Sequence, residues 1–169
     1  TSLAGTGVVI PTLAEVMAAV DGDLNIELKL QEDPSCPEAD RAKLAEDVVA
    51  AIHDDGKARR IVVSSFDPEI LSAVKALDDA IEAGLVTGSI GDHAEATARD
   101  LDALNIITLV ARAENIATIH DAGLDANVWT VNDEAKMREL IDLGVDMVIT
   151  DAPDLLAAVK SDICASRCP

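Results

Sequence analysis

The stretch IVVSSFDPEILSAVKAL, residues 61–77, has the pattern of a buried β-strand that passes directly into an α-helix. Residues 61–63 are all apolar, which is typical of a parallel strand that is covered on both faces. Asp67 and Pro68 are residue types that begin helices. The apolar residues that follow them share one helical face: Ile70, Leu71, Val74 and Leu77. The stretch therefore predicts one βα unit.

The same strand-then-helix pattern recurs along the whole chain. Short β-rich runs occur at residues 24–30, 61–66, 84–88, 104–108, 127–131 and 147–150. After the first, longer interval their starts recur about every twenty residues, and each gap carries a helical pattern. No linker rich in Pro, Gly or Ser divides the chain. Residues 1–169 are therefore predicted to form a single α/β domain.

Successive βα units can form an open doubly wound sheet or a closed barrel. No Gly-x-Gly-x-x-Gly run follows any of the strands, so the dinucleotide-binding form of the open sheet lacks its fingerprint. The nearly constant unit length favours a (β/α)8 TIM barrel, which contains eight strands. The six β-rich runs therefore predict about six of the eight βα units.

Composition limits the classes of partner and the compartment. The net charge of −19 repels nucleic acid and anionic membrane surfaces. The acidic residues are scattered along the chain, which favours a solvated acidic surface over a cation-binding cluster. No run of eighteen apolar residues is present, so no integral membrane segment is expected. The three cysteines, Cys36, Cys164 and Cys168, make neither a disulfide framework nor a structural zinc set. Their low, odd number fits a reducing compartment, and we expect the cytoplasm.

The run NIELK, residues 25–29, contains the clearest candidate site residues. Period-two alternation puts Asn25, Glu27 and Lys29 on one face of the strand. In a barrel, functional side chains gather at the C-terminal ends of the strands. A charged pair on an inward face is costly unless it binds a ligand or a metal. We therefore interpret Glu27 and Lys29 as site residues, with a simple structural ion pair as the alternative.

Other polar or aromatic residues at strand ends also have structural explanations. Trp129 ends a strand and is equally well explained as a core residue. Asn132 is predicted to cap the next helix, and Asp151 to be a cap or turn residue. Ser64 and Ser65 have no Gly-x-Ser-x-Gly elbow around them, so no serine nucleophile is expected.

The three histidines lie at two kinds of position. His53 and His120 lie late in helical patterns, where a cation stabilises the helix C-terminus. His93 follows the strand at 84–88 and is the only histidine placed on the side of the candidate site.

Five stretches together resemble one known family. They are IPTLAEV at 10–16, NIELK at 25–29, VSSFD at 63–67, VWTVND at 128–133 and LGVDMVITDAP at 143–153. In order and spacing they are similar to the motifs of the glycerophosphodiester phosphodiesterases. The resemblance implies a metal-dependent hydrolase on a (β/α)8 barrel. It would convert a small-molecule glycerophosphodiester to sn-glycerol 3-phosphate and an alcohol.

The resemblance also implies residue roles. Glu27 would be a carboxylate ligand of a divalent cation, Mg²⁺ or Ca²⁺, which prefer oxygen ligands. Lys29 would be a catalytic residue that steadies the phosphate charge. Trp129 would bind substrate near the glycerol moiety.

The family's earlier motifs have no counterpart at the expected places. These are a His-Arg-Gly strand, a Glu-x-Asp strand and a His-Asp motif, which supply both catalytic histidines and two further carboxylate ligands. The resemblance thus implies that the sequence begins at the family's third strand, and we expect the 169 residues alone to be inactive. Two alternatives stay open. One is a non-catalytic barrel remnant that acts as a binding or assembly module, its edge strand at 24–30 covered by another copy in a homo-oligomer. The other is a related phosphodiesterase of the lysophospholipase D type.

Overall fold

A computed structural model describes residue 7, residues 9–30 and residues 41–167, and these contain six strands. They are β1 Leu24–Leu28, β2 Ile61–Ser65, β3 Glu82–Thr87, β4 Ala103–Ile107, β5 Asp125–Trp129 and β6 Met147–Val148. Each strand pairs in parallel with the next, so the spatial order is the sequence order. A doubly wound sheet would reverse its order at a switch point, whereas a barrel does not. The prediction of a (β/α)8 TIM-barrel chain with about six units is confirmed.

Seven α-helices accompany the strands in the part of the chain that the structure describes. They are α1 Leu13–Ala19, α2 Arg41–Asp54, α3 Pro68–Leu77, α4 His93–Ala98, α5 Ala113–Asp121, α6 Glu134–Asp142 and α7 Pro153–Arg167. Thr12 and Glu15 form a capping box at the start of α1, in which the Thr12 amide donates to the Glu15 carboxylate at 2.7 Å. Asp67 caps α3 as predicted and accepts from the Glu69 amide at 3.0 Å.

The cap predicted for α6 is wrong by one residue. Asp133, not Asn132, is the N-cap, and its carboxylate accepts from the Lys136 amide at 2.8 Å. Both residues are good helix caps, so local sequence does not separate them. The Asn132 side chain instead bonds to Thr150 and Asp151 in the loop after β6.

The two faces of the sheet differ in polarity. Val63, Leu104 and Val128 pack with the helices in the hydrophobic core, which contains mainly Val, Ile, Leu and Ala. Because side chains alternate along a strand, their neighbours point to the opposite, concave face. That face carries polar side chains at Glu27, Ser64, Asn105 and Asn127. The aliphatic core thus lies under the helices, and the chemistry lies on the inside of the barrel.

Two strands begin two residues earlier than the sequence predicted. β3 starts at Glu82 instead of 84, and β5 starts at Asp125 instead of 127. Arg60 explains both, because its guanidinium lies 2.8 Å from the Glu82 carboxylate and 3.0 Å from that of Asp125. Acidic residues are poor strand formers. Here they pair with a cation at the N-terminal edge of the sheet.

His53 and His120 lie in the last turns of α2 and α5, as predicted. Their rings, however, contact carboxylates. Nε2 of His53 lies 2.8 Å from Asp78, and Nε2 of His120 lies 2.9 Å from Asp146. Both pairs join one helix to the segment after the next helix, so these histidines have structural partners.

The C-terminal end of α1 is held by two cations from the segment before β2. Nζ of Lys57 lies 2.9 Å from the Ala18 carbonyl oxygen and 2.8 Å from that of Val20. Arg59 donates to the Val20 carbonyl at 2.7 Å and to the Met17 carbonyl at 2.9 Å. Free carbonyls at a helix C-terminus attract cations. The two side chains therefore anchor α1 to the barrel.

We expect the Asp55→Asn variant to lose stability in a pH-dependent way. The Arg59 guanidinium donates to the Asp55 carboxylate and holds its pKa below the ordinary 3.8. A lowered folded pKa stabilises the protein above the ordinary value, and this contribution is lost as pH falls through the folded pKa. The Tm gap between wild type and Asp55→Asn should be widest above about pH 5 and should shrink below 3.8. A gap that is constant with pH would contradict this, and Asp54→Asn, one residue away, is the control.

Candidate functional site

The candidate site lies at the mouth, which we define as the edge of the sheet formed by the C-terminal ends of the strands. Parallel strands of a barrel bring their last residues together at this edge. Glu27 lies near the end of β1, Phe66 follows β2, and Trp129 ends β5. The mouth therefore collects the residues that the sequence analysis selected.

Glu27 and Lys29 form the predicted pair. Nζ of Lys29 lies 3.3 Å from Oε2 of Glu27, and the side chains are 70% and 35% exposed, respectively. An ion pair this exposed contributes little to stability. Both charges therefore remain accessible to a ligand from the concave face.

Trp129 lies at the mouth and is half-buried, so it is not simply a core residue. Its Nε1 donates to the Asn105 carbonyl oxygen at 2.8 Å, and its ring meets Phe66 edge to face with a centroid distance of 5.6 Å. The indole thus contacts both the backbone of β4 and the residue that follows β2. Phe66 is 54% exposed, so the aromatic pair presents an open apolar surface.

An amide pair that the sequence analysis missed lies on the concave face beside Trp129. Asn105 and Asn127 are buried, and Nδ2 of Asn127 donates to Oδ1 of Asn105 at 2.9 Å. Within the described part of the chain, Nδ2 of Asn105 and Oδ1 of Asn127 have no hydrogen-bond partner. A polar residue in each of two neighbouring apolar strands was the signal that could have identified them.

The two strand-end serines have structural surroundings. Ser65 donates from its hydroxyl to the Leu28 carbonyl at 2.7 Å and accepts from the Asp67 amide at 3.0 Å. Ser64 is buried on the concave face opposite Glu27 in the strand register. Ser65 thus joins β1 to the start of the loop after β2.

His93 begins α4 on the mouth side of β3, as predicted. Its Nδ1 lies 2.8 Å from the Ile90 carbonyl oxygen. A carbonyl oxygen can only accept, so Nδ1 carries the hydrogen and Nε2 is left as an acceptor when the ring is neutral. Among the described residues, no hydrogen bond or ion pair joins the His93 side chain to Glu27, Lys29 or Trp129.

A cleft of about 470 Å³ adjoins the Glu27–Lys29 pair. Its lining combines apolar and charged residues: Leu28, Lys29, Leu30, Arg41, Ser65, Phe66, Asp67 and Pro68. Arg41 is held in place by Asp67, with 2.6 Å between Nε and Oδ2. The cleft has the volume of a small-molecule site.

The part of the chain that the structure describes contains many acidic side chains but no cluster that forms a complete metal site. No group of three or more His, Cys, Asp or Glu side chains in it could hold a metal ion. Cys164 is an exposed free thiol, and the other two cysteines, Cys36 and Cys168, lie outside the described residues. None of the described helices is long and apolar enough to cross a membrane.

Comparison with known proteins places the chain in one family. The Glycerophosphoryl diester phosphodiesterase family model matches residues 1–155. Probable glycerophosphodiester phosphodiesterase 2 of Mycobacterium tuberculosis (strain ATCC 25618 / H37Rv) is 28% identical over 173 residues, which cover 92% of this chain and 61% of that protein. Glycerophosphodiester phosphodiesterase of Bacillus subtilis (strain 168) is 28% identical over 170 residues, which cover 91% of this chain and 55% of that protein.

A solved structure has the same fold. The phosphodiesterase of Oleispira antarctica, solved in complex with the product sn-glycerol-3-phosphate, superposes with a TM-score of 0.78 at 24% identity. The match covers 89% of this chain and 61% of that one. The chain thus spans 61% and 55% of the lengths of the two curated relatives. Because the family model covers most of its length, the chain belongs to the glycerophosphoryl diester phosphodiesterase family.

Proposed function

We propose that this chain contributes Glu27, Lys29 and Trp129 to the active site of an enzyme that hydrolyses glycerophosphodiesters to sn-glycerol 3-phosphate and an alcohol. The proposal rests on one observation: the mouth holds both the accessible Glu27–Lys29 ion pair and the exposed aromatic pair of Phe66 and Trp129. Membership of the family supports the reaction class. The Oleispira protein is described with sn-glycerol-3-phosphate, which makes that compound the natural probe.

The donor chemistry of Glu27 fits a divalent cation, Mg²⁺ or Ca²⁺, in part. Its carboxylate is accessible, and both ions prefer oxygen ligands. These ions usually take several such ligands, and no set of three occurs among the described residues. Glu27 therefore fits as one member of a ligand set that other residues complete. A bound cation would offset negative charge on the phosphoryl oxygens.

Lys29 and Trp129 would hold the two halves of the ligand. The Lys29 ammonium is a compact, mobile point charge that can pair with a phosphate oxygen, and its exposure lets it leave Glu27. The single N–H of the Trp129 indole donates to the Asn105 carbonyl. Trp129 can therefore offer a ligand its ring face, against which the carbon skeleton of glycerol would pack.

We expect sn-glycerol 3-phosphate, added with Mg²⁺ or Ca²⁺, to change the fluorescence of the chain. Trp129 is the only tryptophan and no tyrosine is present, so the signal reports on the mouth alone. Because it removes the charge of a metal ligand, Glu27→Gln should weaken the cation-dependent part of binding about tenfold or more. Glu114→Gln, which changes an exposed carboxylate on α5, is the matched control. Equal affinity and equal cation dependence in Glu27→Gln would sink the assignment of Glu27.

A lysophospholipid is a second candidate substrate. Phe66 at the mouth is 54% exposed, and Leu109, in the turn after β4, is 87% exposed. Exposed apolar side chains beside a polar site can receive an alkyl chain. A monomeric lysophospholipid should then compete with sn-glycerol 3-phosphate for the Trp129 signal, and absence of competition would remove this candidate.

We also propose that the protein lies in the cytoplasm and can form a homo-oligomer. The low cysteine count supports a cytoplasmic location. Within the described residues β1 pairs with β2 alone, so its other edge can receive a strand from a second copy of the chain. This is the homo-oligomeric assembly module that remains the alternative to catalysis. Sedimentation of the chain would distinguish a monomer from such an assembly.

A further inference from the structure

The end of β5 that carries Trp129 is held from the side of β4 by one hydroxyl. Oγ1 of Thr108 lies 3.0 Å from the carbonyl oxygen of Trp129 and 2.9 Å from that of Thr130. Thr108 follows β4 directly and begins a short turn. The backbone that sets the direction of the Trp129 side chain is thus fixed to the neighbouring strand end.

The same segment is held from the side of β6 by one amide. Oδ1 of Asn132 accepts from the Thr150 hydroxyl at 2.9 Å and from the Asp151 amide at 2.9 Å. Nδ2 of Asn132 donates to the Asp151 carboxylate at 2.9 Å. A backbone bond of 2.9 Å from the Val131 amide to the Ile149 carbonyl lies beside this network. Asn132 therefore joins the loop after β5 to the loop after β6.

We propose that Thr108 and Asn132 are positioning residues for Trp129. They fix the backbone on both sides of the strand end, so that the indole lies across β4 with Nε1 on the Asn105 carbonyl and its ring against Phe66. A ring that must offer one face to a ligand needs such support, because small displacements weaken binding strongly. The inference rests on the proposed function only in taking Trp129 as a ligand contact.

A neighbouring residue provides a control that distinguishes an effect on the position of Trp129 from a general loss of stability in the loop after β5. Asp133 is adjacent to Asn132 and caps α6 through the Lys136 amide, and within the described residues its side chain makes no hydrogen bond to the loop after β6. Asp133→Ala should therefore destabilise the helix start without moving Trp129. Asn132→Ala should move Trp129, because it removes the link to Thr150 and Asp151.

The test follows the single indole N–H resonance of the 169-residue chain and its affinity for sn-glycerol 3-phosphate with Mg²⁺. Thr108→Val and Asn132→Ala should shift the indole resonance and weaken binding about tenfold. Thr108→Ser keeps the hydroxyl and should retain both wild-type values. Asp133→Ala should lower the Tm while leaving the resonance in place.

Two results would overturn the positioning role. One is an unchanged indole resonance in both Thr108→Val and Asn132→Ala when circular dichroism shows them folded. The other is an equal shift in Asp133→Ala. If wild type fails to bind sn-glycerol 3-phosphate but the resonance shifts as expected, the assignment of Trp129 as a ligand contact in this chain fails and the support of Trp129 by Thr108 and Asn132 stands.

Discussion

Replacement of Arg59 by Met is expected to lower the Tm by about 10 °C. The Arg59 side chain is 2% exposed and the Asp55 carboxylate that it binds is 4% exposed. Met has a similar length but donates no hydrogen bond. The variant would leave a carboxylate charge without its partner and would strip donors from the carbonyls of Met17 and Val20 at the end of α1.

Arg138→Met is the matched control for this change. Arg138 also pairs with two carboxylates, those of Glu134 and Asp162, but the three side chains are 36%, 54% and 67% exposed. Exposed pairs contribute little, so its Tm should stay within about 2 °C of wild type. Thermal unfolding followed by circular dichroism measures both variants. If the two arginines gave equal losses, the anchoring of α1 through Arg59 would be wrong.

Much of the fold could be predicted because its signals are local. The order of apolar runs and helical stripes predicted the βα units, and Asp67 with Pro68 predicted the start of α3. The anchoring of α1 could not be predicted. Arg59 reaches Met17 across 42 residues, and a charged residue before a strand does not indicate which carbonyl it will meet.

In the candidate site, too, the sequence predicted the local features but not the contacts between distant residues. Alternation along β1 correctly placed Glu27 beside Lys29, because period-two geometry is local. The strand-end position of Trp129 was also predicted. Its partners were not, since the contact with Asn105 depends on the register of β4 with β5. Asn132 was misassigned as a cap for the same reason, because the loop after β6 had to be in place before its amide acquired partners.

Gly84→Ala should destabilise the barrel by about 2 kcal/mol. A Cβ at Gly84 would lie 2.9 Å from Oδ1 and 3.2 Å from Nδ2 of Asn105, and 3.3 Å from Cβ of Ala103. A flexible side chain could move away at low cost. Asn105 is fully buried and bonded to Asn127 at 2.9 Å, so the added methyl must displace a packed amide.

Gly88→Ala is the control for the effect of the methyl group itself, because nothing lies within 4 Å of a Cβ at Gly88. It should leave the unfolding free energy within about 0.5 kcal/mol of wild type. Gly84→Ala should in addition shift the Trp129 indole resonance, because Nε1 of Trp129 is bonded to the backbone of Asn105, the residue that must move. A destabilised Gly84→Ala with an unmoved indole would show that Asn105 rotates its side chain without its backbone. In that case a change in packing on the concave face would not alter the position of Trp129 at the mouth. If the unfolding free energy and the indole resonance both change, Gly84 helps to hold Trp129 in position.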